Sequence, residues 1–155
     1  MTKSALHRSL HQLADALKDA AEPWWIIGSA AVELHGGNPD TISDIDVLVS
    51  RKDIDALYRR LPLTDTPDNG KTMFRSARFG WWSEPEVEIE FMHGLEVEAD
   101  GKWEPVEPET RQAVMVDHRE LFVPHRDELI EILTRFGREK DLRRAASLAN
   151  AHRTD

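Results

Sequence analysis

Two periods of hydrophobicity alternate along this chain, and each change of period marks an element. Leu6, Leu10, Leu13, Ala14 and Leu17 recur every three or four positions, the spacing of one helical face, so Ser4 to Ala20 is predicted as a helix with Ser4 at its N-cap and Pro23 closing it. The apolar run Trp24 to Ile27 then predicts a strand. Gly28 permits a tight turn, Ser29 opens a short helix to about Leu34, and His35-Gly36-Gly37 stops it. Asn38 to Ser43 is a polar loop, Asp44 to Ser50 a second strand, and Asp53 to Arg60 a helix with Asp53 as its expected cap. Leu61 to Lys71 carries two prolines and Asn69-Gly70, which predict a flexible excursion.

The second half begins with strand patterns. Met73 to Phe79 and Val87 to Met92 read as strands, separated by a loop holding Gly80-Trp81-Trp82 and Pro85. Leu95 to Glu98 and Trp103 to Val106 bracket Asp100-Gly101, a hairpin signal. Val114 to Val116 and Leu121 to Val123 are short strand candidates. From Pro124 the helical period returns through Leu129, Ile132, Leu133 and Phe136 to Gly137, with Asp127 and Glu128 in the first turn, where the helix dipole favours acids. A last helix is predicted from Arg138 to Ala149. The reading is a single α/β domain over 1–155, with a mixed sheet flanked by helices and a helical C-terminus.

The second strand breaks its own pattern in an informative way. Ile45, Val47, Leu48 and Val49 call for burial, yet Asp44 and Asp46 share one strand face a few ångströms apart. Two such charges at a buried sheet end are costly unless a proton or a cation lies between them, and carboxylate oxygens suit Mg2+. Val87 to Phe91 repeats the device: Glu88 and Glu90 share a face while Val87, Ile89 and Phe91 fill the other. If this strand lies beside the first, either glutamate or both reach the aspartates as the third carboxylate of a two-metal site. The Gly28-Ser29 turn ahead of a helix adds phosphate-binding donors.

Composition narrows the class. With 155 residues, 40% hydrophobic and 32% charged, the chain has the make-up of a globular protein with one core. No apolar run is long enough for a membrane span, and the opening residues read as part of an amphipathic helix instead of a signal peptide. The absence of cysteine excludes disulfides, thiolate metal sites and a cysteine nucleophile and fits a cytoplasmic location. A net charge of −9 repels polyphosphate backbones, so non-specific nucleic-acid binding is not expected; a metal-bridged nucleotide remains compatible, because the metal reverses the local sign.

Other conspicuous residues receive plainer readings. His7 and His11 lie four apart on the first helix, a metal-compatible spacing, but no third ligand is near them in sequence. Trp24 and Trp25 are expected to fill the core. Trp81 and Trp82 are expected in a loop beside the cleft, packing there or stacking on a base. Arg75 and Arg78 are both candidates to meet a triphosphate, and His35 and His93 read as polar scaffold.

Ile26-Ile27-Gly28-Ser29, Asp44-Ile45-Asp46-Val47 and Ile89-Glu90-Phe91, in that order, resemble the pattern of the nucleotidyltransferase superfamily related to DNA polymerase beta. That pattern is an apolar residue with Gly-Ser or Gly-Gly, a loop, Asp-x-Asp or Asp-x-Glu, and later an acid between apolar residues. Arg138-Glu139-Lys140-Asp141 is similar to the Arg-x-Lys-Asp helix of small bacterial members, and the resemblance runs from about Trp24 to Leu148. It implies two Mg2+ ions and a nucleoside triphosphate such as ATP, with Asp44 and Asp46 holding metal and Glu90 as the third carboxylate. Glu90 is preferred to Glu88 because Glu90-Phe91-Met92-His93-Gly94 resembles the Glu-Val-Met-x-Gly run of similar small proteins. Gly28 and Ser29 would bind the β and γ phosphates, and Lys140 would lie near the active site. The third acid is commonly Asp in this superfamily, and an additional helical or recognition domain, present in many members, has no room here. The implied activity is transfer of a nucleoside monophosphate to an acceptor hydroxyl. The alternative is an antitoxin-like or partner-binding protein that acts with a helical partner, as in toxin–antitoxin pairs, with or without turnover.

Overall fold

The computed structural model describes residues 3–65 and 73–153. Helix α1 (Lys3–Ala16) buries the stripe of Leu6, Leu10 and Leu13, and its buried Ser9 hydroxyl accepts the Val87 amide at 2.9 Å. Strand β1 (Trp25–Ile27) turns through Gly28, at φ +71°, into α2 (Gly28–Leu34). Strand β2 (Asp44–Leu48) follows, then α3 (Arg51–Arg60). The cap of α3 is Ser50, whose side chain accepts the Asp53 amide, not Asp53 as the sequence predicts. Asp53 is buried and accepts the amides of Ala21 and Glu22 at 2.8 and 3.0 Å, so its carboxylate serves the linker before β1. The excursion predicted over Leu61 to Lys71 lies mostly outside the described residues; within them, Thr64 bridges to Trp81.

The predicted strand Met73 to Phe79 is two strands in different sheets, β3 (Phe74–Arg75) and β4 (Arg78–Trp82). The predicted loop from Gly80 through Trp82 is therefore the second half of β4. Gly80 packs closely there: a Cβ at that position would lie 2.9 Å from Leu63 Cδ1 and 3.3 Å from Tyr58, so a larger residue would have to displace the Leu63 side chain. Strand β5 (Glu88–His93) completes the central sheet in the order β1-β2-β5-β4. β2 and β5 are parallel and the outer pairings antiparallel, the mixed sheet expected.

Strands β6 (Glu96–Ala99) and β7 (Lys102–Pro105) form the predicted hairpin and join β3 in a second sheet. Its turn residues Asp100 and Gly101 both have positive φ, 52° and 77°, as a type I′ turn requires. Strands β8 (Gln112–Val116) and β9 (Arg119–Val123) form another hairpin. Helix α4 (Arg126–Phe136) stops at Gly137 in the left-handed conformation, and α5 (Glu139–Arg153) follows.

Strand alternation divides the central sheet into unlike faces. Ile26, Ile45, Val47, Ile89 and Phe91 point to one side and enter the main core with Leu10, Leu13, Ile54 and Leu57. On the other side Ile27, Leu48 and Met92 join Leu95, Val97, Ile132 and Phe136 in a second cluster. The remainder of that side is the acidic end of β2 and β5.

Candidate active site

The register of the parallel pair decides the site. Asp44 lies opposite Glu88 and Asp46 opposite Glu90, so four carboxylates from neighbouring strands share one face. Three of them, Asp44, Asp46 and Glu90, converge: one oxygen from each lies within 4.8 Å of the others, and all are half-buried. Glu88 lines the same cleft but stands outside this group. Burial first, then the charges of Asp44 and Glu90, push the Asp46 carboxyl well above its usual pKa, with Arg138 acting in the opposite direction. A carboxylate raised by its neighbours in this way is one that a bound cation would relieve. The all-oxygen donor set fits a hard cation such as Mg2+.

Gly28 abuts this cluster. A Cβ there would lie 3.0 Å from Asp46 Oδ2, so the turn needs glycine both for its positive φ and for this approach. Ser29 is buried at the start of α2 and faces the same cleft. The cleft has a volume of about 800 Å³. Across the sheet the register runs Ile27, just before the Gly28-Ser29 turn, then Asp46, Glu90 and Trp81 on β4.

The structure separates residues that looked equivalent. Trp81 is half-buried and lines the cleft. Trp82 points to the other side, where its indole stacks on Phe91 at 6.4 Å and bonds to Glu84. Arg75 lines the cleft, pairs with Glu96 at 2.7 Å and covers Trp103. Arg78 is away from it, over the Tyr58 ring and beside Asp55. His35 and His93 bond to the carbonyls of Pro124 and Val49. Lys140 is exposed at the cleft edge.

Two arginines matter more here than their place in the pattern foretold. Arg138 is held by Asp141, Nε to Oδ2 at 2.6 Å and Nη2 to Oδ1 at 3.0 Å, and Asp141 is only 1% exposed. The Arg138 guanidinium lies 5.0 Å from the centre of the Phe74 ring, lines the cleft, and its charge reaches Asp46. Such a bidentate grip leaves it little rotamer freedom. Arg144 is buried and donates to the carbonyls of Pro39 and Thr41, fixing the loop that delivers Asp44. The i, i+3 spacing of Arg138 and Asp141 was the available signal for the first; nothing local marks Arg144.

No protein-family model matches the chain, and no curated protein matches it at a significant level. Solved structures do. A provisionally assigned nucleotidyltransferase of Thermotoga maritima superposes over 100% of this chain and 97% of its own, with a TM-score of 0.67 at 20% identity. The antibiotic-resistance factor ANT(2'')-Ia in solution matches 97% of this chain and 86% of its own, with a TM-score of 0.62 at 13% identity. An antigenic nucleotidyltransferase-like protein of Paracoccidioides brasiliensis matches 97% and 78%, with a TM-score of 0.51 at 18% identity. The fold is that of the nucleotidyltransferases.

Proposed function

We propose that residues 1–155 act as one metal-dependent nucleotidyltransferase, transferring a nucleoside monophosphate from a triphosphate such as ATP to the hydroxyl of an acceptor, in the cytoplasm. The observation that carries this reading is the meeting of Asp44, Asp46 and Glu90 within 4.8 Å on the open face of a nucleotidyltransferase-fold sheet. Asp44, Asp46 and Glu90 would hold magnesium, which when bound would neutralise their charge and lower the pKa of the acceptor hydroxyl.

The chain's own residues do the positioning. Ser29, with the backbone at Gly28, binds the β and γ phosphates beside Asp46. Arg138, immobilised by Asp141, faces the same charge and stabilises it as it builds up on the leaving pyrophosphate. Lys140 at the rim adds to the field that draws the triphosphate in. Glu90 takes the acceptor proton as the acceptor oxygen bonds to the α phosphorus, and the bond from that phosphorus to the bridging oxygen breaks, releasing pyrophosphate. Arg144 acts at one remove by holding the loop before Asp44.

The test is pyrophosphate release with each nucleoside triphosphate and Mg2+ against a panel of hydroxyl acceptors, on wild type and Glu90→Gln together. Release that needs Mg2+ and is lost in the variant supports the reading; nucleotide binding without release under any condition leaves a binding protein. The reading as a partner-binding module draws no support from the surface: among the described residues the large exposed hydrophobics are Met115 and Leu142, which do not make a docking face.

A further inference from the structure

Beyond the carboxylates the central sheet ends in an aromatic edge. Strand β4 is an outer strand of that sheet, and its Phe79 and Trp81 are in register with Met92 and Glu90 of β5. Two apart on one strand, they share a face, and both line the cleft. Their surroundings differ. Phe79 packs against the apolar cluster of Ile27, Leu48 and Met92, whereas Trp81 is half-buried and belongs to neither core cluster. The indoles of Trp25 and Trp82 donate to Thr110 and Glu84; the Trp81 indole donates to none of the described residues. We propose that Trp81 is the platform for the acceptor, and that the acceptor is a small ring-bearing alcohol without phosphate or carboxylate groups, an assignment that rests on the nucleotidyltransferase reading.

Three observations carry it, of which the first is direction. In phosphoryl transfer the attacking and leaving oxygens lie roughly in line. The leaving pyrophosphate is assigned to the Gly28-Ser29 turn, which follows β1 at one edge of the sheet, and β4 is the other edge. The attacking hydroxyl therefore arrives from the β5–β4 side, over Glu90. Trp81 is one strand spacing from Glu90, about 4.8 Å, and its strand is three spacings from β1.

The second observation is charge. Of the four cationic side chains lining the cleft, Arg138, Lys140 and Arg144 belong to α5 or the residue before it, and α5 packs against α2 on the triphosphate side. The fourth, Arg75, is paired with Glu96. Beside β4 the cleft presents Glu88 and Glu90, which repel an anionic acceptor. The third is shape. A tryptophan face is a large, rigid, apolar surface that suits stacking on a flat ring. Glu88, outside the group of three converging carboxylates, lies about 6–7 Å from Glu90 along β5, a span that one sugar-sized ring bridges with two hydroxyls.

The test uses full-length protein with Mg2+ and a non-hydrolysable ATP analogue for binding, and with ATP for turnover. Binding is read from the Trp81 indole N–H signal in NMR, assigned with Trp81→Phe. The probes are myo-inositol and methyl β-glucoside, with a sugar phosphate and an oligonucleotide bearing a free terminal hydroxyl as anionic counterparts. The neutral rings should move the signal at about millimolar concentration, and the anionic probes should not. In pyrophosphate release, Trp81→Ala should raise the KM of the neutral ring about tenfold while the nucleotide KM stays within about twofold, and Trp81→Phe should recover most of the loss. A tenfold loss of nucleotide affinity in Trp81→Ala assigns Trp81 to the base and overturns the proposal. So does a stronger response to the anionic probes, or a Trp81 signal that no neutral ring moves. Rings that shift Trp81 while no pyrophosphate is released support the platform and sink the transferase reading; normal turnover with an unchanged ring KM in Trp81→Ala does the reverse.

Discussion

The two faces of the central sheet come from the same strands and serve opposite ends. On one, Ile45, Val47, Ile89 and Phe91 are fully buried against α1 and α3; on the other, one residue away at each step, Asp44, Asp46, Glu88 and Glu90 line a cleft. Each buried large side chain contributes about 1.5–3 kcal/mol, which lets the strands hold mutually repelling acids at their other face. The acidic face is unfavourable in its own right, as the raised Asp46 pKa records. The apolar face stores stability, and the acidic face uses some of it to keep charges together for a cation.

Removing the apolar side should give the largest effect. Phe91→Ala deletes a fully buried ring stacked on Trp82 and should lower unfolding free energy by about 3–5 kcal/mol, read from urea denaturation. Glu90→Gln, one residue away, should leave stability almost unchanged while cutting turnover about a hundredfold or more. Nucleotide affinity should hold in that variant. If Glu88→Gln is the dead variant instead, the third carboxylate lies two residues earlier on the same face.

Smaller changes sharpen the division within the cleft. Ser29→Ala should weaken nucleotide binding by about 1–2 kcal/mol for one hydrogen bond to a charged group, visible in a nucleotide titration. Asp46→Asn removes a repelling charge, so the variant should unfold at slightly higher temperature than wild type when no Mg2+ is added. Added Mg2+ should then stabilise wild type and not the variant.

The smallest expected effect contrasts carboxylates whose shifts run in opposite directions. At Glu128 burial alone would raise the pKa, but hydrogen bonds from the Thr110 hydroxyl and the Glu109 and Thr110 amides outweigh it, and the net shift is downward. Its contribution to stability is present above the unfolded carboxylate pKa of about 4.3 and is lost as pH falls through the lower folded value. Asp46 runs the other way: its repulsion is present above its raised folded pKa and fades as pH falls through it. Thermal unfolding followed from neutral to acid pH should show Glu128→Gln with a shallower acid loss than wild type, and Asp46→Asn without the relief on acidification.

Much of this was legible because strand alternation is local. Asp-Ile-Asp and Glu-Ile-Glu each state that their acids share a face, and Gly28-Ser29 states a turn, before any partner strand is known. The errors came where long-range packing overrode local chemistry. Gly80 reads as a turn, but it pairs with Phe91 within β4, its side-chain position closely covered by Leu63 and Tyr58. Met73 to Phe79 reads as one strand, but Ser76 and Ala77 carry the chain from one sheet to another. Asp53 reads as a cap, but the amides at Ala21 and Glu22 claim its carboxylate.

The sequence by itself determined the periods of the elements, the mixed α/β class and the pairing of acids on two strands, since each depends only on residues within a few positions of one another. Tertiary structure alone decided that β2 and β5 lie parallel in a register that sets Asp46 opposite Glu90. It also decided that Trp81 and not Trp82 enters the cleft, that Asp141 aims Arg138, and that Asp117 meets His7 and His11. These are contacts between distant segments, and their geometry depends on how helices and sheets pack around a shared core, which no local pattern encodes.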